Sequence, residues 1–219
     1  DAVMFPRAAM IHCGVLALAG ALALCGCAAA DPDAAPAAEP AGASTVVPEP
    51  GRTIEATPPG TAPAMTGYRI AVVHPPTAEA DRLLQGVLAL ADDAGASIQT
   101  YDAASTAESD VAQALSDATA DQPDLVVGVG ADVVDTFSYD TAQMLDQQFL
   151  LIGAQLAEPT QNVIAVIWEG ATSRGSAAAP DADLSSESAT VEVAERATAS
   201  GMASIRDGVT GVVLHLSSP

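Results

Sequence analysis

The sequence has no lysine. All seven of its basic residues are arginine, and they stand against 28 aspartates and glutamates, which leaves a formal charge of −21. Nucleic-acid phosphates need a basic footprint, so this balance excludes nucleic acid as a partner. It argues equally against a basic, lipid-binding surface and fits a self-repelling exported protein. Aromatics are scarce, 3% of the chain with a single tryptophan, although 49% of residues are apolar. Alanine dominates the apolar set, so the core must be built from small side chains. Cysteine is confined to Cys13, Cys25 and Cys27, and nothing beyond residue 27 can form a disulfide. No serine is flanked as in a nucleophile elbow, and no His/Asp/Glu set has metal spacing. The expectation is a protein that is not an enzyme and holds neither cofactor nor metal.

The first residues do contain an address. From Met4 the chain reads MFPRAAMIHCGVLALAGALALCGC. Arg7 supplies a positive n-region. Ile11 to Leu24 is an apolar run of signal-peptide length, too short to cross a bilayer comfortably. Alanine, aspartate and proline follow it instead of a basic stop-transfer cluster, so cleavage is expected. Leu24-Cys25-Gly26-Cys27 resembles a bacterial lipobox, with an aliphatic residue at −3 and a small one at −1. Modification of Cys25 would put Leu24 at −1, where a small residue is wanted, so Cys27 is the expected lipidation (palmitate) site. The competing reading, a C-x-C metal or redox pair, needs further ligands, and His12 and Cys13 lie inside the apolar run. Acyl chains supply about 0.8 kcal/mol per buried CH₂, so several of them hold a protein firmly to the membrane. Residues 1–27 are thus read as a lipoprotein signal peptide that places the chain on the extracytoplasmic face.

Residues 28–66 carry eight of the fifteen prolines and no apolar periodicity. Proline fixes φ and removes a donor, so neither helix nor sheet is expected there, and the segment reads as a disordered tether. At residue 67 the texture changes. YRIAVVHP (68–75), ASIQTYDA (96–103), PDLVVGVG (123–130), FLLIGA (149–154), NVIAVIWE (162–169) and TGVVLHL (210–216) read as strands. Between them, residues 77–95 place Leu84, Val87, Leu88 and Ala91 on one helical stripe, with Gly95 as a stop. Ser105 and Glu108 have capping-box spacing ahead of a second helix. Residues 131–148 align Val133, Phe137, Thr141 and Met144, and residues 189–208 align Val191, Ala194, Thr198 and Ile205. Alternating strands and helices predict an α/β layered lobe over 67–219, Rossmann-like and three-layered, with a mostly parallel sheet of about six strands and right-handed crossovers. Only Ala154 to Asn162 join the fourth of these strands to the fifth. A parallel crossover normally needs a dozen residues or more, so spacing alone makes that pair antiparallel.

The order YRIAVVHP, PDLVVGVGADVVDTF, QFLLIGAQ and NVIAVIWEGATSRG, together with the lipobox and tether, resembles the N-terminal lobe of the basic membrane protein family over residues 68–175. Those are lipoproteins of the type I periplasmic-binding fold, related to purine-nucleoside receptors of ABC importers. The resemblance implies one such lobe, parallel fourth and fifth strands despite the short link, and an ABC permease as partner. It also exposes departures. Family receptors close two lobes on the ligand, and this folded stretch has the length of one. Their first-strand loop carries an Asp and a Ser-Phe-Asn run; here the loop is HPPTAEAD, so nucleoside binding does not carry over.

Ligands of open α/β sheets sit beyond the carboxyl ends of the strands. That rule selects His74, Gly130 and Asp132, and Trp168 with Glu169, as candidate ligand contacts. Arg174, in the long polar loop 171–188, is a candidate anion contact. GVGAD lacks the third glycine and the later acid of a dinucleotide fingerprint. Two functions follow: a solute-binding-like lipoprotein that takes a small molecule, or an interaction lipoprotein that kept the lobe and lost the ligand. A lone lobe offers an open shelf, which a second copy could cover. A weak homodimer that brings Trp168 and the 130–132 turn to the partner is therefore a further expectation, opposed by the charge and helped by salt.

Overall fold

The computed structural model describes residues 50–217. The expected signal peptide, Cys27 and the tether through residue 49 lie outside them. Seven strands form one sheet: β1 (Arg52–Ala56), β2 (Arg69–His74), β3 (Ser97–Asp102), β4 (Leu125–Val129), β5 (Phe149–Ile152), β6 (Val163–Ile167) and β7 (Val212–Leu216). Their spatial order is β1-β7-β6-β5-β4-β2-β3, and every pair is parallel. Four helices cover the faces: α1 (Ala78–Ala94), α2 (Glu108–Ala120), α3 (Val134–Asp140) and α4 (Val191–Arg206).

The strands alternate between two cores. Ile70, Val72, Val127, Ile152, Ile164 and Leu214 face α1 and α4. Ala71, Val73, Val126, Leu151, Ala165 and Val213 face α2 and α3. All residues of β4, β5 and β6 are buried, which is why they read as unbroken apolar runs. This is the expected α/β lobe, with one strand more than the sequence suggested.

The extra strand corrects the tether. Arg52–Ala56 pairs along β7, from Arg52↔Val212 to Ala56↔Leu216, and Ile54 and Ala56 pack on the first core. Pro50 and Pro58 flank the strand without entering it, so the ladder loses no donor. The link between β5 and β6 resolves in favour of parallel pairing. Five strand residues span roughly 16 Å at about 3.3 Å each. Extended chain over 153–162 reaches roughly twice that, so no helix is needed; Ala154 and Leu156 pack on the second core on the way.

The crossovers do not all share a hand. β2–α1–β3 moves toward one edge with its helix on the first face. β3–α2–β4 and β4–α3–β5 move the other way with helices on the second face, which is the same hand. β6–α4–β7 also moves the other way, yet α4 lies beside α1 on the first face. Its hand is therefore opposite, against a rule obeyed in about 98% of parallel crossovers. Residues 168–190 make the exception. The chain leaves β6 toward the second face, where Ser176 donates to Asp135 of α3 through its N–H (2.7 Å) and its hydroxyl (3.0 Å). It then crosses the carboxyl ends of the strands to the first face, where Arg82 of α1 donates to the carbonyls of Ala189 (2.6 Å) and Ser186 (2.7 Å).

Three helix details differ from expectation. The buried stripe of α1 is Ala80, Leu83, Gly86, Val87, Leu90, Ala91 and Ala94, whereas Leu88 is exposed. The capping box before α2 does not form, because Ser105 donates to Asp110 (2.6 Å) and accepts from the Ala107 N–H (3.1 Å). Finally, α3 stops at Asp140. The side-chain amide of Asn162 takes the carbonyls of Thr141, Met144 and Gln147 at 3.0–3.1 Å and holds that stretch as turns.

Candidate functional site

A parallel sheet gathers all strand carboxyl ends and all helix N-termini along one edge. β2 leads outward to β3 while β4 leads the other way, so the topological switch point lies between the ends of β2 and β4. His74 ends β2 and Gly130 follows β4. The imidazole of His74 is clamped: Nδ1 lies 3.0 Å from Asp102 Oδ1 at the end of β3, and Nε2 lies 3.1 Å from Asp81 Oδ1 in the first turn of α1. Both ring positions are occupied by protein, so His74 organises the edge and presents no free nitrogen. Gly130 adopts φ +82°, and its N–H donates to the Ile152 carbonyl at 2.9 Å. Glu79 Oε1 stands 3.8 Å from where a Gly130 Cβ would be. Burial pushes the Glu79 carboxyl above its ordinary value, the charge of Asp132 adds to the rise, and Arg82 opposes it. Asp132 is exposed beside this shelf.

The remaining expected contacts lie elsewhere along the edge. Leu83 of α1 packs against both Gly130 and Gly153 and separates the switch point from the end of β6. There Trp168 is 4% exposed, and its indole N–H donates to the carbonyl (3.2 Å) and hydroxyl (3.1 Å) of Ser188. It belongs to the first core as a packing residue at the sheet margin and leaves little of its ring to a ligand or a second copy. Trp168 faces inward because its strand alternates with Val166 and Ile164 toward α4. Glu169 is exposed at the tip of a tight turn closed by the Ala171 N–H and the Trp168 carbonyl (3.0 Å), with Gly170 at φ +89°. Arg174 pairs with Asp181 at 2.8 Å, and its buried Nε has no partner among the described residues. Asp181 also accepts from the buried amide of Gln155 at 3.0 Å. The six candidates thus fall into three groups, and the structure does not bring them into one pocket.

Sequence reasoning missed two groups at this edge. Glu79 looks like an ordinary helix N-terminal acid, and only the placement of Gly130 beside it reveals its half-buried position. Arg196 of α4 lies with Trp168, Glu169, Val193, Leu216 and Ser217 around a recess of about 160 Å³ at the ends of β6 and β7. Among the described residues there is no group of three or more His, Cys, Asp or Glu side chains arranged to hold a metal, and no helix is long and apolar enough to cross a membrane.

No protein-family model matches the chain, and no curated protein matches it. Solved structures do show a likeness. A solute-binding protein of an ABC transporter system from Aeropyrum pernix K1 aligns at 20% identity and TM-score 0.38, over 47% of this chain and 28% of that one. One from Conexibacter woesei DSM 14684 aligns at 18% identity and TM-score 0.40, over 47% of this chain and 36% of that one. An ABC transporter solute-binding protein from Bradyrhizobium sp. BTAi1 with bound Bis-Tris aligns at 14% identity and TM-score 0.40, over 75% and 54%. The chain thus matches about a third of the length of the first two.

Proposed function

We propose that the chain is a lipid-anchored, non-catalytic binding module of the solute-binding type. It is held on the extracytoplasmic face through Cys27 and works at the carboxyl edge of its sheet, beside an ABC permease. The observation that carries this reading is the all-parallel order itself. It lines up every strand end and helix N-terminus on one edge, and the 168–190 segment crosses that edge with contacts at the ends of β5 and β6 and to α1 and α3. The lipobox and the motif order over 68–175 support the anchor and the importer class. A second reading, an interaction lipoprotein without a small ligand, is favoured by one fact: Trp168 and Arg174, two of the expected contacts, are engaged by the protein itself.

Two measurements test the proposal. Cys27→Ser should release the protein from membranes or leave the precursor unprocessed, whereas Cys25→Ser should change little. Identical fractionation of Cys27→Ser and wild type, without acyl label, would defeat the anchor. A thermal-shift screen with nucleosides, sugars and amino acids tests the ligand. A true ligand at a hundred times its Kd stabilises by about 2.7 kcal/mol. Silence across all three classes would leave the interaction reading.

A further inference from the structure

The recess at the ends of β6 and β7 has a particular composition. Trp168, Val193 and Leu216 are its apolar lining, and the cation Arg196 and the anion Glu169 line the same volume. Neither charge is consumed locally. Among the described residues Arg196 makes no ion pair, and its one hydrogen bond is a long one, 3.4 Å, to the Ser217 carbonyl. The other two arginines of the edge are spent inward, Arg82 on carbonyls and Arg174 on Asp181. In a chain of charge −21, a half-buried guanidinium without a carboxylate is conspicuous. Glu169 is held out at a turn tip by Gly170, where a Cβ would strike Ser188 at 2.8–2.9 Å. Both charges therefore border one small volume.

We infer that this recess binds a small zwitterion of the α-amino-acid type, its carboxylate on the Arg196 guanidinium and its ammonium on Glu169, with its side chain toward the apolar lining of Trp168, Val193 and Leu216. The inference rests on the binding-module reading above and names its ligand class. A guanidinium fork matches a carboxylate with two parallel hydrogen bonds, and a carboxylate accepts from an ammonium. A purely anionic solute would meet Glu169 unpaired, a purely cationic one would meet Arg196, and a neutral sugar would satisfy neither.

The protein carries its own reporter, since Trp168 is the single tryptophan. L-Alanine titrated into the full chain should change Trp168 fluorescence saturably, with a matching calorimetric isotherm and a Kd on the order of 1 mM or tighter. Arg196→Gln and Glu169→Gln should each weaken it by about tenfold or more, and acetate or methylammonium alone should bind at least about tenfold more weakly than L-alanine. Circular dichroism separates loss of binding from loss of fold, and Glu169, exposed on a turn, is the safer variant. No L-alanine binding by either readout, or binding untouched by both substitutions in folded protein, would overturn the inference. A ligand from the wider screen whose binding ignores Arg196 and Glu169 sinks the recess but leaves the binding module; no ligand from any class sinks both.

Discussion

Gly86 of α1 lies against Ala194 of α4. A Cβ on Gly86 would penetrate the Ala194 methyl and come within 2.6 Å of the Val191 carbonyl oxygen and 2.8 Å of the Glu195 nitrogen. Gly86→Ala should therefore cost about 1–3 kcal/mol, the usual penalty for overpacking, despite alanine's better helix propensity. Urea unfolding measures it. Two of the three close atoms are backbone, so Ala194→Gly in the same chain should restore only a minor part. An unchanged or raised stability in Gly86→Ala would show that the two helices are not in this contact.

That contact also explains what the sequence did and did not disclose. Strands β2, β4, β5 and β6 were legible because burial on both faces forces continuous apolar runs. The seam of α1 was misplaced by one position because Leu84 and Leu88 outweigh Ala80, Gly86 and Ala94 on any hydrophobic reading. A close helix pair selects small residues instead, and α4 answers with Ala194 and Ala197. β1 was hidden because it is short, flanked by prolines and only half-buried on one side. At the edge, His74, Gly130, Asp132, Trp168 and Glu169 were found from strand ends alone. Arg196 was not, since a charged residue in mid-helix reads as solvated face until the strand ends are placed next to it. The clamp on His74 needs Asp102, which the β2–β3 register sets beside it, and Asp81, which depends on where the first turn of α1 falls.

Stability should fall with rising pH through Glu79 and, by the same sign, Asp140, whose carboxyl burial also raises. The Glu79 carboxyl is raised above its ordinary 4.5 by burial and by Asp132. The folded state therefore holds the proton more tightly, and that contribution is complete below 4.5 and lost as pH climbs through the raised value. Glu79→Gln should be more stable than wild type at pH 7, with the difference closing toward pH 4. Glu55 supplies the opposite sign: hydrogen bonds from Ser217 and His215 lower its carboxyl below 4.5. Its contribution is present above 4.5 and disappears at lower pH. Urea titrations of both glutamine variants across pH 3–8 read the two slopes, and parallel slopes would contradict the assignment.

Asn162 is expected to be worth more than its exposure suggests. It is 7% exposed, donates to three carbonyls of the 141–147 turns and accepts from the Thr160 hydroxyl at 2.6 Å. Asn162→Ala leaves those carbonyls short of a donor and should cost about 2–4 kcal/mol. Asn162→Asp should be worse, because it turns a donor into an acceptor facing acceptors. An aspartate variant as stable as wild type would disprove the network.

Removing β1 should separate fold from tether. A chain that begins at Pro50 should unfold like the whole protein. One that begins at Pro58 loses the β7 pairing and the burial of Ile54 and Ala56, and should be less stable by roughly 2 kcal/mol or more. Equal denaturation midpoints for the two chains would show that residues 52–56 contribute nothing to the sheet.

The partnership of β1 with β7 also sets a clock. Glu55 and His215, which face each other across that pair, are 160 residues apart in the chain. At about 5–20 residues per second, a ribosome needs roughly 10–30 s to make the second strand after the first. Throughout that interval β1 has no ladder to join, and loop closure over so long a span is a slow event in its own right. The edge strand is thus the earliest part of the sheet to be made and the last to be placed, so that edge can close only once β7 has been made.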